Sequence, residues 1–250
     1  MSSTPAFPRQ DARTIADDGD ALNFCSTCAF SQACMSEGMN KADLMDLHML
    51  VEHVGPLHAG AHVFRAGDAF EAIAAVRSGT VKTYTVDRDG HEHVLGFYFP
   101  GEVIGLDGIH GDRYPCNAVA LDTVMLCRFS FPKISVLATQ LPGLQQHLFR
   151  LLSRDIGRAA LLAGDWTADQ RMAGFLVGLS RRLAARGFSP DRFQLTMART
   201  DIANYLRLAP ETVSRVLRRF QEAGLVRLDR REVELLRRDE LDALAEPLQR

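Results

Sequence analysis

Three cysteines crowd the N-terminal part of the chain, Cys25, Cys28 and Cys34 in FCSTCAFSQAC, and a fourth, Cys127, lies far downstream in VMLCRFSF. A C-x2-C-x5-C run with a distant fourth thiol suits the assembly of four thiolates around an iron-sulfur cluster or a zinc ion. Such a centre would tie an N-terminal leader to a remote β-strand. The fifth cysteine, Cys116 in RYPCNAVAL, stands outside this pattern and reads as a half-buried strand residue. A disulfide framework would require an oxidising compartment. Residues 1–20 are polar and acidic, without the basic start and apolar segment of an export signal, and no apolar run is long enough for a membrane span. The expectation is a cytoplasmic protein with reduced thiols and no membrane partner.

A second constellation lies in RTDIANYLRLAPETVSRVLRRFQEAGLVRL. Glu211, Ser214 and Arg215 fall on one face near the start of a helix that opens with Pro210, where a missing N–H costs nothing, and ends near Gly224. Arg can clasp guanine O6 and N7, Glu accepts from a cytosine amino group, and Ser serves either sense of hydrogen bond. A preceding helix from Asp201 to Leu206 and a turn over Arg207 to Ala209 complete a helix-turn-helix pattern. Ile202, Leu206, Val213, Val216, Leu217 and Phe220 are its packing residues. Leu225 to Leu228 and Val233 to Leu236 read as a short hairpin beside the helices, a wing. Ala209 at the N-cap cannot accept an N–H bond, a loss of about 1 kcal/mol.

Charge supports the same function. Residues 171–231 hold thirteen Arg, five acidic residues and no Lys, a net of +8 in a chain whose total is −2. A basic C-terminal part on an otherwise acidic protein is the electrostatic footprint of nucleic-acid binding.

The elements that must position these groups divide the 250 residues into two domains. Ten of nineteen glycines fall between Gly55 and Gly111, separating the β-prone runs AHVFR, AIAAVR, TVKTYTV, HEHVLGFYF and NAVAL, with TVMLCRFSF beyond. Such spacing predicts a β-barrel or sandwich, with hairpin turns at Ser78-Gly79 and Asp89-Gly90. After Pro142 the period becomes helical. Leu148, Leu152, Ile156, Ala159 and Ala163 form one apolar stripe, suited to pairing with a second copy across a two-fold axis and so presenting two reading helices to a palindromic site. The expected organisation is a leader over 1–20, a metal-binding β-domain over 21–140, a dimerisation helix over 141–168 and a winged helix-turn-helix over 169–250. The class is α+β.

With both motifs in place, the chain resembles the FNR branch of the cyclic-AMP-receptor-protein family of bacterial transcription regulators. The resemblance runs from about Asn23 to the C-terminus and includes the cysteine run, RSGTVKTYTV, LSRRLAARGFSPDRFQLTMARTDIANYLRL and ETVSR. It implies an N-terminal cyclic-nucleotide-binding-like β-roll, a long dimerisation helix and a C-terminal winged helix-turn-helix. It also implies a [4Fe-4S] cluster on Cys25, Cys28, Cys34 and Cys127 that favours the DNA-binding homodimer without oxygen, and whose conversion by oxygen to [2Fe-2S] weakens it. Glu211, Ser214 and Arg215 match the family's base-reading positions, with inverted repeats of TTGAT as the implied site and RNA polymerase as an implied partner.

Competing chemistries fit less well. A cyclic-nucleotide phosphate cassette begins plausibly at Gly101-Glu102, but where it needs an Arg and a small hydroxyl residue this chain runs Tyr114-Pro115-Cys116-Asn117. A buried phosphate would lack its cation, so no cyclic nucleotide is expected and Glu102 reads as a turn residue. His91 and His93 share a strand face as solvated or structural residues. No nucleophile-base pair, phosphate-binding loop or HExxH motif points to an enzyme. The alternative is a thiol-redox or zinc-stabilised DNA-binding regulator without a cluster.

Overall fold

The computed structural model describes residues 41–162 and 164–246. Cys25, Cys28 and Cys34 and the leader over 1–20 lie outside the described residues, as do the side chains of Ala159 and Ala163. The chain folds as two compact units that divide after Asp155, with the short stretch Glu92–Val94 grouped with the second.

The first unit begins with helix α1 (Lys41–His48) and strands β1 (Val51–Leu57), β2 (His62–Phe64), β3 (Ala72–Ser78), β4 (Val81–Val86), β5 (Glu92–Tyr98), β6 (Val103–Ile104), β7 (Asn117–Ala120) and β8 (Val124–Ser130). They form two four-stranded sheets, in the orders β1-β8-β3-β6 and β2-β7-β4-β5. Period-two alternation along β3 separates two cores. Ala72, Ala74 and Val76 point into the roll between the sheets, with Phe64, Val81, Tyr114, Ala118, Val124 and Leu126. Ile73 and Ala75 point outward to a second core built with Leu47 of α1, Ile134 and Leu137 of α2 (Phe131–Gln140), and Leu144 and Leu151 of α3 (Pro142–Leu162). β8 alternates in the same way, so Leu126 faces the roll while Cys127 and Phe129 belong to the helix side.

The runs read from the sequence became β2, β3, β4, β5, β7 and β8. Asp89-Gly90 is the turn of the β4–β5 hairpin, with Gly90 at φ +85°. Ser78-Gly79 is not a hairpin turn, because β3 and β4 lie in different sheets and the chain crosses over there. Gly79 has φ +80°, and a Cβ at that position would collide with the Thr123 carbonyl oxygen, while the neighbouring Thr80 N–H donates to the Asp122 carboxylate at 2.7 Å. The corner therefore demands glycine for both backbone conformation and space. Gly79→Ala is expected to destabilise this unit by about 3 kcal/mol, from left-handed strain and overpacking together. Its thermal midpoint, followed by circular dichroism, should fall on the order of 10 °C.

On α3, Leu144, His147 and Leu151 are buried, Leu148 and Leu152 are half-buried, and Phe149 and Ile156 are 61% and 71% exposed. The apolar residues of this helix thus serve two faces, one covering its own β-roll and one open.

The second unit contains α4 (Ala168–Ala184), β9 (Arg192–Gln194), α5 (Arg199–Tyr205), α6 (Pro210–Glu222), β10 (Val226–Asp229), β11 (Glu232–Leu235) and α7 (Arg238–Ala245). Thr167 and Gln170 form a reciprocal capping box that starts α4. β9 adds a third strand to the expected hairpin, in the order β10-β11-β9. Among the described residues no helix is long and apolar enough to cross a membrane.

Candidate functional site

The helix-turn-helix is built by local signals. Helix α5 closes at Leu206, after which Arg207 takes φ 54° and Leu208 N–H reaches the Ala203 carbonyl at 2.9 Å. Glycine usually fills this left-handed position, and a residue with a Cβ there costs about 1 kcal/mol. Helix α6 opens on Pro210 after an N-cap, Ala209, that makes no side-chain hydrogen bond. It ends in a Schellman arrangement: Leu225 N–H meets the Phe220 carbonyl at 2.9 Å and Gly224 has φ 68°. Val213, Val216, Leu217 and Phe220 are buried with Ile202 and Leu206, which fixes the rotation of α6 about its axis. The opposite face consequently presents Glu211, Ser214 and Arg215, all exposed.

The three side chains place hydrogen-bonding groups on an exposed helix face. Arg215 Nη2 donates to Thr212 Oγ1 at 3.1 Å, and Ser214 Oγ donates back to the Pro210 carbonyl at 3.2 Å, leaving the hydroxyl oxygen able to accept. Glu211 lies in the first helical turn, where the helix dipole also favours a carboxylate. Many arginines of this unit are framework residues paired to carboxylates: Arg181 with Asp242, Arg218 with Glu222, Arg219 with Asp169, Arg192 with Glu232 and Arg227 with Glu234. Arg207, Arg215, and Arg230 and Arg231 at the wing tip are exposed and form no ion pair among the described residues. Uncompensated positive charge thus sits on α6, the turn before it and the wing, and also at the start of α5, where Arg199 is exposed without an ion pair among the described residues. The wing arginines, supported by the left-handed Arg230 at φ 53°, were not singled out by sequence reasoning.

At the other constellation only Cys127 lies within the described residues. It is half-buried at the margin of the helix-side core, between His53 of β1 and Ala75 of β3 in the sheet. Its Sγ lies 3.8 Å from His53 Nδ1. Burial, with help from Arg77 and His48, lowers the pKa of His53. Leu47 of α1 is buried in the same core. In sequence, Cys34 precedes α1 by seven residues. A half-buried thiol at the margin of a sheet has the soft donor chemistry that an iron-sulfur or zinc centre uses.

Cys116 is placed differently. It is 1% exposed in the roll core, donates to the Asp107 carboxylate at 3.0 Å, and its thiol is pushed far above the normal range by burial and by that carboxylate. It faces the interior between the sheets, whereas Cys127 faces the helices. The cassette segment also turns inward: Tyr114 is buried, stacks on Phe64 at 4.0 Å and donates its hydroxyl to the Ala72 carbonyl at 2.5 Å. Arg113 remains exposed, with Nη1 2.5 Å from the Gly67 carbonyl. Glu102 closes a turn, its buried carboxylate accepting the Phe99 N–H at 3.0 Å. His91 and His93 are both exposed, and His91 lies 3.5 Å from Asp87 at the hairpin tip.

Comparison with known proteins covers both units. A cyclic nucleotide-binding domain profile matches residues 55–140 and a Crp-like helix-turn-helix domain profile matches residues 170–244. The transcriptional activator protein Anr of Pseudomonas aeruginosa is 43% identical over 224 residues, covering 88% of this chain and 92% of that protein. The fumarate and nitrate reduction regulatory protein of Escherichia coli is 39% identical over 236 residues, covering 93% and 94%. Among solved structures, FixK2 from Bradyrhizobium japonicum superposes with a TM-score of 0.70 at 26% identity, covering 78% of this chain and 96% of that one. A β-roll followed by a winged helix-turn-helix, with relatives of this identity spanning both, is not an enzyme's organisation: the chain belongs to the Crp/Fnr family of DNA-binding transcription regulators.

Proposed function

We propose that this protein is an oxygen-responsive transcription regulator that binds DNA as a homodimer under anaerobic conditions. The observation that supports the reading is the joint presence in one chain of a C-x2-C-x5-C run, a half-buried sheet-borne thiol, Cys127, and an exposed Glu211, Ser214 and Arg215 face. The names of the Anr and fumarate and nitrate reduction relatives point the same way. A [4Fe-4S] cluster on Cys25, Cys28, Cys34 and Cys127 supplies an oxygen-reactive centre when bound.

The chain's own residues do the rest. Cys127 anchors the N-terminal segment to β8, and that strand shares its outer core with Leu144 and Leu151 of α3. Ordering the segment against this core therefore acts on the helix whose open face, Phe149 and Ile156, pairs with a second copy. The result is a shift of population toward the dimer, which sets two copies of α6 on the two halves of a TTGAT inverted repeat. Arg207, Arg230 and Arg231 hold phosphates and fix register; Glu211, Ser214 and Arg215 read bases. Cyclic nucleotide is not its effector, because Tyr114 and Cys116 are turned into the core and Arg113 stays outside. The protein acts in the cytoplasm, where thiols are reduced, with RNA polymerase as its partner at promoters.

The test is the visible absorption spectrum of protein purified without oxygen, before and after brief exposure to air. A broad band near the blue end that bleaches in air is expected, with about four irons per chain, one for each iron of the cluster. A colourless protein, after attempted reconstitution, that carries zinc or no metal would overturn the oxygen-sensing reading and leave DNA binding standing.

A further inference from the structure

Directly opposite Cys127 in the β1–β8 ladder stands His53. Residues opposite each other in an antiparallel pair project from the same face, and both side chains leave the sheet on its helix side, away from Leu126 and the roll core. The imidazole Nδ1 is 3.8 Å from the Cys127 sulfur, within reach of an N–H···S hydrogen bond, which is longer than one to oxygen. On its other flank Cys127 is paired with Ala75, whose side chain has no donor. Arg77, two residues further along β3, projects from the same face as Ala75, and both it and His48 act electrostatically on His53. The margin of the sheet around the sulfur therefore carries an imidazole in contact with it and the Arg77 guanidinium nearby.

We infer that His53 is a positioning residue for the fourth thiolate, donating Nδ1–H to the Cys127 sulfur and thereby setting how fast a bound cluster is lost in air. The inference rests on the reading of Cys127 as a ligand. A hydrogen bond to a cluster thiolate draws charge off the sulfur, orients the ligand and raises the potential of the centre, so that oxidation becomes harder. Removing such an outer partner lowers metal affinity or function about 10- to 100-fold.

The experiment compares anaerobically reconstituted full-length wild type with His53→Leu, which fills the space without a donor, and His53→Asn, which places an amide N–H near the position of Nδ1. Readouts are the rate of absorbance loss in air and the iron–sulfur stretching frequencies by resonance Raman, with circular dichroism melting as a check on folding. His53→Leu is expected to bleach about tenfold faster with shifted stretching frequencies, or to take up no cluster at all. His53→Asn should stay near wild type. Decay within about twofold of wild type and unchanged frequencies in His53→Leu would overturn the role, as would equal damage in both variants, which would mark His53 as a packing residue. If wild type itself takes up no iron, the ligand reading of Cys127 falls first and the role of His53 falls with it, an outcome visible before either variant is made.

Discussion

Arg215→Ala is expected to abolish specific recognition while leaving the protein folded and dimeric. Arg215 is fully on the exposed face of α6 and contributes nothing to the core that Val213, Val216, Leu217 and Phe220 form. Among the described residues its side chain bonds to Thr212 Oγ1 alone, at 3.1 Å, so its loss should leave thermal stability nearly unchanged. Each bidentate base contact is worth about 1–3 kcal/mol of discrimination, and a symmetric dimer loses two. Affinity for a TTGAT inverted repeat should drop by about 2–6 kcal/mol, roughly 30-fold to more than 10,000-fold, while binding to random sequence changes little. Arg215→Lys should recover little of this, because an ammonium cannot reproduce the two-pronged geometry. Fluorescence anisotropy with specific and scrambled duplexes at fixed salt measures both. A variant weakened equally on both duplexes would make Arg215 a phosphate contact, and a reduced salt slope would accompany it.

Cys127→Ser is expected to remove the cluster and with it the anaerobic gain in DNA affinity, a coupling of about 5- to 150-fold. Serine keeps the volume of the side chain at a half-buried position, so the β-roll should remain folded. What changes is the donor: a hydroxyl is not the soft thiolate that iron-sulfur centres require. Cys116→Ser is the informative contrast. Cys116 is buried between the sheets and bonded to Asp107, on the other side of β-structure from Cys127, so its replacement should leave iron content and the visible band unchanged. Iron analysis and duplex titration of both variants without oxygen check the pair of expectations. Iron lost in Cys116→Ser and retained in Cys127→Ser would reassign the fourth ligand.

The two candidate sites differ in how much of them local sequence can carry. The helix-turn-helix was legible almost to the residue, because its signals act within a few positions. Pro210 sets the start of α6, the left-handed Gly224 sets its end, and the period of Val213, Val216, Leu217 and Phe220 decides which face is left for Glu211, Ser214 and Arg215. The wing was placed within one residue for the same reason. The third strand, β9, and the helices α1, α2, α4 and α7 were not read; β9, α1, α2 and α7 are short and are held by packing against other elements, and the longer α4 was passed over within a segment taken as a whole. β1 was missed because Gly55-Pro56 interrupts its pattern, and β6 because two residues carry no period. Ser78-Gly79 has the composition of a hairpin turn, and only the assembly of two sheets makes it a corner.

The cysteine spacing made a four-thiolate centre possible, and the resemblance to the FNR branch offered Cys127 of β8 as its distant thiol. It could not determine what stands beside that thiol. His53 is 74 positions away from Cys127, and their pairing depends on the register of β1 against β8, which is fixed by burial of Leu57, Val124 and Leu126 in the roll. A slip of one residue would turn Cys127 into the roll core. Local chemistry therefore named the candidate ligands and the candidate reading residues, and long-range packing decided which face Cys127, Glu211, Ser214 and Arg215 occupy and which residues stand beside them.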